Sequence, residues 1–220
     1  MLATFIAGYG AEMLRRTFQH ISMVGLALVL AASIGVSLGV AISGRERVAR
    51  WVIGAASVLF TVPSLALFAL LVVALAPIRQ GTGRVPAVTA LTLYSILPIV
   101  RNTWVALRQV DPSTVQAAQG MGMTPREIMI RVKLPLALPL IMAGVRNAAV
   151  MGVGMATIAT LIGGGGLGYF IFEGIARANR AMVIAGTLAI TVLGLAVNGG
   201  LLMAEEALTP GRHRRLEHTR

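Results

Sequence analysis

"VQAAQGMGMTPREIMIRVKLPLALP" (residues 115–139) is a polar, glycine-hinged, double-proline segment set between long apolar runs. Just upstream, "DPSTVQAAQGMG" opens with Asp111 as a helix N-cap and Pro112 at the first helical position. Gly120 and Gly122 can adopt positive φ and end that helix. "TPRE" then starts another: Thr124 caps, Pro125 follows, and Glu127 completes a capping box. Apolar residues recur at Ile128, Val132 and Pro135, and Pro135 with Pro139 shapes the approach to the next apolar run. The spacing predicts two short helices meeting at a glycine elbow, too well capped to be disordered and too polar to lie in lipid. Ala117, Ala118 and Gly122 give this elbow a surface of small residues, suited to another protein's groove.

The runs on either side are those of a membrane protein. The 220-residue chain is 56% hydrophobic and 12% charged, with a mean hydropathy of +0.82, whereas soluble domains carry roughly 25% charged residues. Runs of about 20 apolar residues cross a bilayer as helix, and five are expected: 21–42, 51–76, 86–107, 137–162 and 181–203. Pro63 lies in the second, which reads as one kinked span in preference to two segments, and Pro98 lies in the third. Residues 1–20, with Arg15, Arg16 and His20, read as an amphipathic segment at the interface, without a cleavable-signal pattern. Residues 204–220 read as a basic tail. Gly35, Gly39, Gly152, Gly154 and Ala156 are the small residues that close helix packing in lipid uses. The fold class is therefore an all-α integral membrane protein.

Lys and Arg set the orientation. The loop 43–50, the loop 108–135 and the tail carry Arg45, Arg47, Arg50, Arg108, Arg126, Arg131, Lys133, Arg212, Arg214, Arg215 and Arg220. The opposite side carries Arg15, Arg16, Arg79, Arg84, Arg177 and Arg180. The excess places the elbow and tail in the cytoplasm and the N-terminus outside. The same loops account for the net charge of +11 without nucleic acid, since no basic stripe with interleaved aromatics occurs. No cysteine is present, which removes disulfides, thiol catalysis and thiolate metal sites. His20, His213 and His218 form no metal-spaced cluster, and nothing resembles a catalytic constellation. Every carboxylate (Glu12, Glu46, Asp111, Glu127, Glu173, Glu205, Glu206, Glu217) falls in an expected loop or span end. An ion-coupled carrier usually needs ionisable or polar groups near the midplane, so the driving energy is expected from a partner.

The elbow resembles the cytoplasmic loop of permease subunits of binding-protein-dependent ABC importers. Ala117 and Ala118, Gly122 three residues on, and Leu134-Pro135 match that loop's pattern; Val132 stands where the family has Ile and Gln116 where it has Glu. "TVPSLALFALL" (61–71), "LPIVRNTW" (97–104), "LPLALPLIMAGVRNA" (134–148) and "ATLIGGGGLGYFIFEGIA" (159–176) look like permeases for glycine betaine, choline, carnitine or proline. The resemblance covers about residues 20–200. It implies a methionine-importer-like bundle in the inner membrane, coupled through Gln116, Ala117, Ala118, Gly122, Val132, Leu134 and Pro135 to a cytoplasmic ATPase dimer. That partner would bind ATP and Mg, leaving this chain without a cofactor. It further implies a second permease, identical or homologous, and an extracytoplasmic substrate-binding protein. Alternating access by rocking of the spans fits such an assembly.

Within the spans, Arg101 and Arg146 are the only charges. Two readings stand: they snorkel to the cytoplasmic interface, or they pair with carbonyls or the second permease and hold the inward gate. Asn102 and Asn147 follow them. Ser64, Tyr94, Ser95 and Asn102 are candidates for the path, alongside Phe60 and Trp104, because quaternary ammonium groups bind aromatic faces. Gly163, Gly164, Gly165, Gly166 and Gly168 read as a flexible outer turn; no Lys-Ser/Thr follows them as in a phosphate-binding loop.

Overall fold

The structure, a computed structural model, describes residues 2–208, with side chains from Gly8 onward. The basic tail beyond Leu208, with the arginines, histidines and Glu217 named above, lies outside the described residues. All regular elements among the described residues are helices: α1 (Leu2–Ile42), α2 (Glu46–Thr61), α3 (Ser64–Leu75), α4 (Arg84–Arg108), α5 (Pro112–Gly120), α6 (Pro125–Glu127), α7 (Leu134–Ala156), α8 (Gly168–Ala176) and α9 (Arg180–Leu208). Four helices, Gly8–Ile42, Arg84–Arg108, Pro125–Ala156 and Arg180–Leu208, are long and apolar enough to cross a membrane, and a bent pair makes up to five. Leu14, Phe18, Trp51, Val73, Val192, Leu195 and Met203 are exposed, as expected when the surrounding medium is lipid or a partner helix.

α4 lies between α1 and α7, and glycines let it approach both. A methyl added at Gly39 would sit 2.5 Å from Thr103 Cβ, and one at Gly144 would sit 2.6 Å from Asn102 Cβ. Gly35 rests on Ile99 in the same way. The main core collects Met23, Phe68, Leu91, Leu167 and Phe170 from α1, α3, α4, the segment before α8, and α8 itself.

Three expectations need correction. Residues 2–20 are not a separate segment but the first turns of α1, continuous with the first span. Glu12 explains how the helix carries its charges there: it pairs with Arg15 at 2.6 Å and Arg16 at 2.7 Å, three and four residues on. The stretch 51–76 is not one continuous helix: α2 and α3 meet at 96° across Val62-Pro63, as a span broken at the proline or a re-entrant pair. Pro63 has no N–H to continue the ladder, and the Tyr94 hydroxyl donates to the Val62 carbonyl left at the corner. Finally, the second half of the expected loop is not a short helix of its own. α6, a π-helical turn (Ile128–Lys133) and α7 run on as one helix, Pro125–Ala156. Pro135 cannot donate to the carbonyl four residues back, and the wide turn just before it absorbs the mismatch.

Tyr94 is thus a corner post, buried at 5% exposure, with Phe60 edge-on at 5.7 Å. Tyr94→Phe should lower the melting temperature in detergent, because a buried carbonyl left without a donor costs about 1–3 kcal/mol. An unchanged melting curve with a raised KM for substrate would instead place the hydroxyl in the path.

Candidate functional site

The two ends of the bundle differ in kind. α4 begins where Gly83 N–H bonds Ile162 O at 2.7 Å, beside the glycine turn, and ends near the elbow. The elbow therefore forms one end of the molecule and the glycine turn the other.

At the elbow, Asp111 accepts from Ser113 N–H at 2.8 Å and caps α5. That bond holds the Asp111 carboxyl below the ordinary aspartate range. α5 stops as Met121 N–H bonds Ala117 O and Gly122 takes φ +79°. Thr124 and Glu127 form the reciprocal capping box: Glu127 N–H donates to Thr124 Oγ1 at 3.3 Å, and Thr124 N–H donates to Glu127 Oε2 at 2.9 Å. Gln116, Ala117, Gly122 and Pro135 are exposed, while Val132 and Leu134 are half-buried. Ala118, expected on the surface, is buried at 2% exposure, because it sits on the inner face of α5. Behind α5 lies a cleft of about 580 Å³ lined in part by Ser43, Arg108, Gln116, Met129 and Lys133. The elbow is a capped corner that presents Ala117, Met121 and Gly122 outward.

The expected path residues fall into two groups, about 12 Å apart along α4 at 1.5 Å per residue. Tyr94 and Ser95 are buried within the bundle and Ser64 is half-buried at the start of α3, by the α2–α3 corner. Arg101, Asn102, Arg146 and Asn147 lie by the crossing of α4 and α7, where Asn102 Nδ2 donates to Pro98 O at 2.7 Å. Arg101 and Asn147 are exposed on the protomer. Trp104 carries the Arg108 guanidinium 5.1 Å from its ring centre.

Arg146 finds a partner the sequence reading placed elsewhere. Its Nη2 lies 3.9 Å from Glu205 Oε2, both side chains largely enclosed. Glu205 belongs to α9, not to a tail, since α9 continues to Leu208. The pair joins α7 to the far end of α9, so the elbow end of α7 runs on roughly 18 Å past it. Glu205→Leu should destabilise the protein more than Arg146→Leu/Glu205→Leu together, by about 1 kcal/mol or more, because the single change leaves an enclosed cation. A double variant whose loss equals the sum of the Arg146→Leu and Glu205→Leu losses would mean that the two groups do not interact.

The glycine turn is closely packed and hydrogen-bonded. Gly163, Gly165 and Gly166 have φ of +81°, +78° and +92°, and a methyl at Gly164 would lie 2.8 Å from Ala159 O. Thr160 Oγ1 donates to Gly165 O at 2.8 Å, and Gly166 N–H donates to Gln19 Oε1 at 3.3 Å. Leu167 N–H donates to His20 Nδ1 at 3.2 Å. The His20 ring is fully buried, and its Nε2 lies 3.0 Å from Val153 O. Gln19, His20 and Glu205 are the residues that sequence reasoning passed over, since each acts on a partner distant along the chain.

The described residues thus form a bundle of membrane-length helices with a capped elbow at one end. Residues 31–205 match the family described as binding-protein-dependent transport system inner membrane component, and the chain belongs to that family. It is 45% identical to the osmoprotectant import permease protein OsmW of Salmonella typhimurium, over 93% of this chain and 94% of that protein. It is 38% identical to the choline transport system permease protein OpuBB of Bacillus subtilis, over 98% of this chain and 97% of that one. Its fold matches a chain in an inward-facing structure of the MetNI methionine ABC transporter, with a TM-score of 0.82 at 20% identity, over 90% of this chain and 96% of that one.

Proposed function

We propose that this chain is the permease of an ATP-driven importer for osmoprotectants of the quaternary-amine type, such as choline, glycine betaine or carnitine. The observation that carries the reading is full-length similarity to permeases for choline, carnitine and osmoprotectants. The exposed elbow around Gly122 supports docking on a separate cytoplasmic ATPase, which binds ATP and Mg. Gln116, Ala117, Val132, Leu134 and Pro135 shape or flank that face, with Ala118 as its inner support. A second permease, identical or homologous, completes the path, and an extracytoplasmic binding protein delivers the solute. Arg101 and Asn147, exposed on membrane-length helices, fit a face toward that second permease or the path, since an arginine facing lipid is costly.

The test is purification in mild detergent with its operon partners, followed by vanadate-sensitive ATP hydrolysis and uptake of labelled choline, glycine betaine and carnitine into proteoliposomes. ATPase association with uptake of at least one of these solutes is expected. Association without uptake of any of them would overturn the substrate class, and no association would overturn the importer reading.

A further inference from the structure

The glycine turn, which the sequence presents as a flexible element, has the build of a fixed point. We infer that residues 163–167 form a rigid rim that stays joined to α1 throughout the transport cycle, with His20 and Gln19 as its positioning residues. The inference rests on the importer reading for its functional meaning and on local geometry for its substance.

His20 is engaged at both ring nitrogens by two different elements. Nδ1 accepts from Leu167 N–H at 3.2 Å, so the ring proton sits on Nε2 and is directed at Val153 O, 3.0 Å away. That carbonyl is open to the ring because α7 tightens at its end: Thr157 N–H bonds Gly154 O, three residues back in place of four. One neutral tautomer thus serves α1, α7 and the turn at once. Gln19, one residue earlier, takes the neighbouring amide of Gly166.

Parting the turn from α1 would strand the Leu167 amide and the His20 ring, both fully buried, together with the Gly166 amide. Each buried polar group left unpaired costs about 1–3 kcal/mol. Movement within the turn is blocked as well, since Gly164 lies against Ala159 and Thr160 clips Gly165. Leu167 and Phe170, on the far side, belong to the main core. The Gly83–Ile162 hydrogen bond ties the start of α4 to the same body. The glycines are there for close approach and left-handed backbone, and the rim they build joins α1, α4 and α7 at this end. Opening and closing must then come from elsewhere in the bundle.

Gln19 and Gly165 supply the test. A Cβ built on Gly165 lies 3.9 Å from Gln19 Cβ, the separation of a relaxed disulfide at roughly 3.8 Å. The chain has no cysteine of its own, so Gln19→Cys/Gly165→Cys is the only pair within it that can oxidise, and the importer with the unsubstituted chain is the control for its partners' thiols. In the reconstituted importer, the oxidised pair should form readily and transport within about twofold of its own reduced form, because a disulfide of normal geometry adds no strain. Uptake lost on oxidation and regained with dithiothreitol would overturn the inference, as would failure of the pair to cross-link. Since Gly165 has positive φ, the double variant can fold poorly, and the unmodified complex provides a second measurement. Peptides spanning 160–170 should show the same hydrogen-exchange protection without nucleotide and after vanadate trapping. Loss of protection on trapping would overturn the rim. If no ATPase associates, the importer reading fails while cross-linking yield and nucleotide-free protection still decide whether the turn is latched.

Discussion

Gly122→Arg should cut recovery of the ATPase and solute uptake by about tenfold or more, as truncation or blocking of a central interface residue does, while membrane insertion and folding persist. The position separates these effects unusually well. Gly122 has φ +79°, and a Cβ there meets nothing within 4 Å. A new side chain is therefore directed away from the protomer, beside Met121, which is 75% exposed. The backbone strain of a non-glycine residue in this region is about 1–2 kcal/mol, which a cooperatively packed bundle tolerates. Gly122→Ala carries that strain without the bulk, and Gly120→Ala carries neither, since Gly120 ends α5 in open surroundings. The expected order of ATPase recovery is Gly120→Ala, Gly122→Ala, then Gly122→Arg far below. Wild-type recovery and uptake in Gly122→Arg would remove the elbow from the docking face.

The elbow was legible in the sequence because its determinants are local. Asp111, Pro112, Thr124, Pro125 and Glu127 act within three residues: Asp111, Thr124 and Glu127 form the bonds their spacing predicts, and the two prolines take the first helical positions. The long apolar helices were legible for the same reason. What escaped was set by partners remote in sequence. A kink at Pro63 was legible, but not its 96° sharpness, where Tyr94 donates to the carbonyl of Val62, 32 residues away. The glycine turn looks flexible until His20 and Gln19, 147 residues earlier, are brought against it. Glu205 looked like the start of a tail, since Glu205 and Glu206 break the apolar run, yet α9 continues past both and turns Glu205 toward Arg146. The short helix α8 passed unnoticed because nine residues, two of them glycines, carry too little periodicity to count.

These non-local contacts give the bundle a division of labour. The helix Pro125–Ala156 has 32 residues, about 48 Å at 1.5 Å per residue, and runs from the exposed elbow to the anchored glycine end. If the elbow docks on an ATPase as proposed, a push there would be delivered along this helix to the crossing with α4, to the Arg146–Glu205 pair, and finally to the glycine turn. For that transmission the crossing with α4 must be tight, which makes its glycine the most sensitive position in the helix.

Gly144→Leu should therefore be among the most destabilising single changes in the chain. The added Cβ would lie 2.6 Å from Asn102 Cβ and 3.0 Å from Pro98 O. Neither atom is the free end of a flexible side chain, and Pro98 and Asn102 are already bonded to each other, so α4 and α7 have to separate. Separation breaks the small cluster of Ile99, Ala31, Val145 and Ala148 that packs beside the crossing. Even one surplus methylene in a packed core costs about 1–3 kcal/mol, and leucine brings more than one. Gly154→Leu, ten residues along the same helix, provides the comparison, because nothing lies within 4 Å of its Cβ. Gly152→Ala is intermediate, its methyl meeting Val24 at an ordinary 3.5 Å. All three remove a helical glycine, so helix propensity alone would rank them together as mildly stabilising. Thermal unfolding in one detergent should instead place Gly144→Leu far below wild type, with Gly152→Ala and Gly154→Leu close to it. A Gly144→Leu protein as stable as Gly154→Leu would mean that α4 and α7 can part freely, and the long helix could not then carry movement from the elbow to the path.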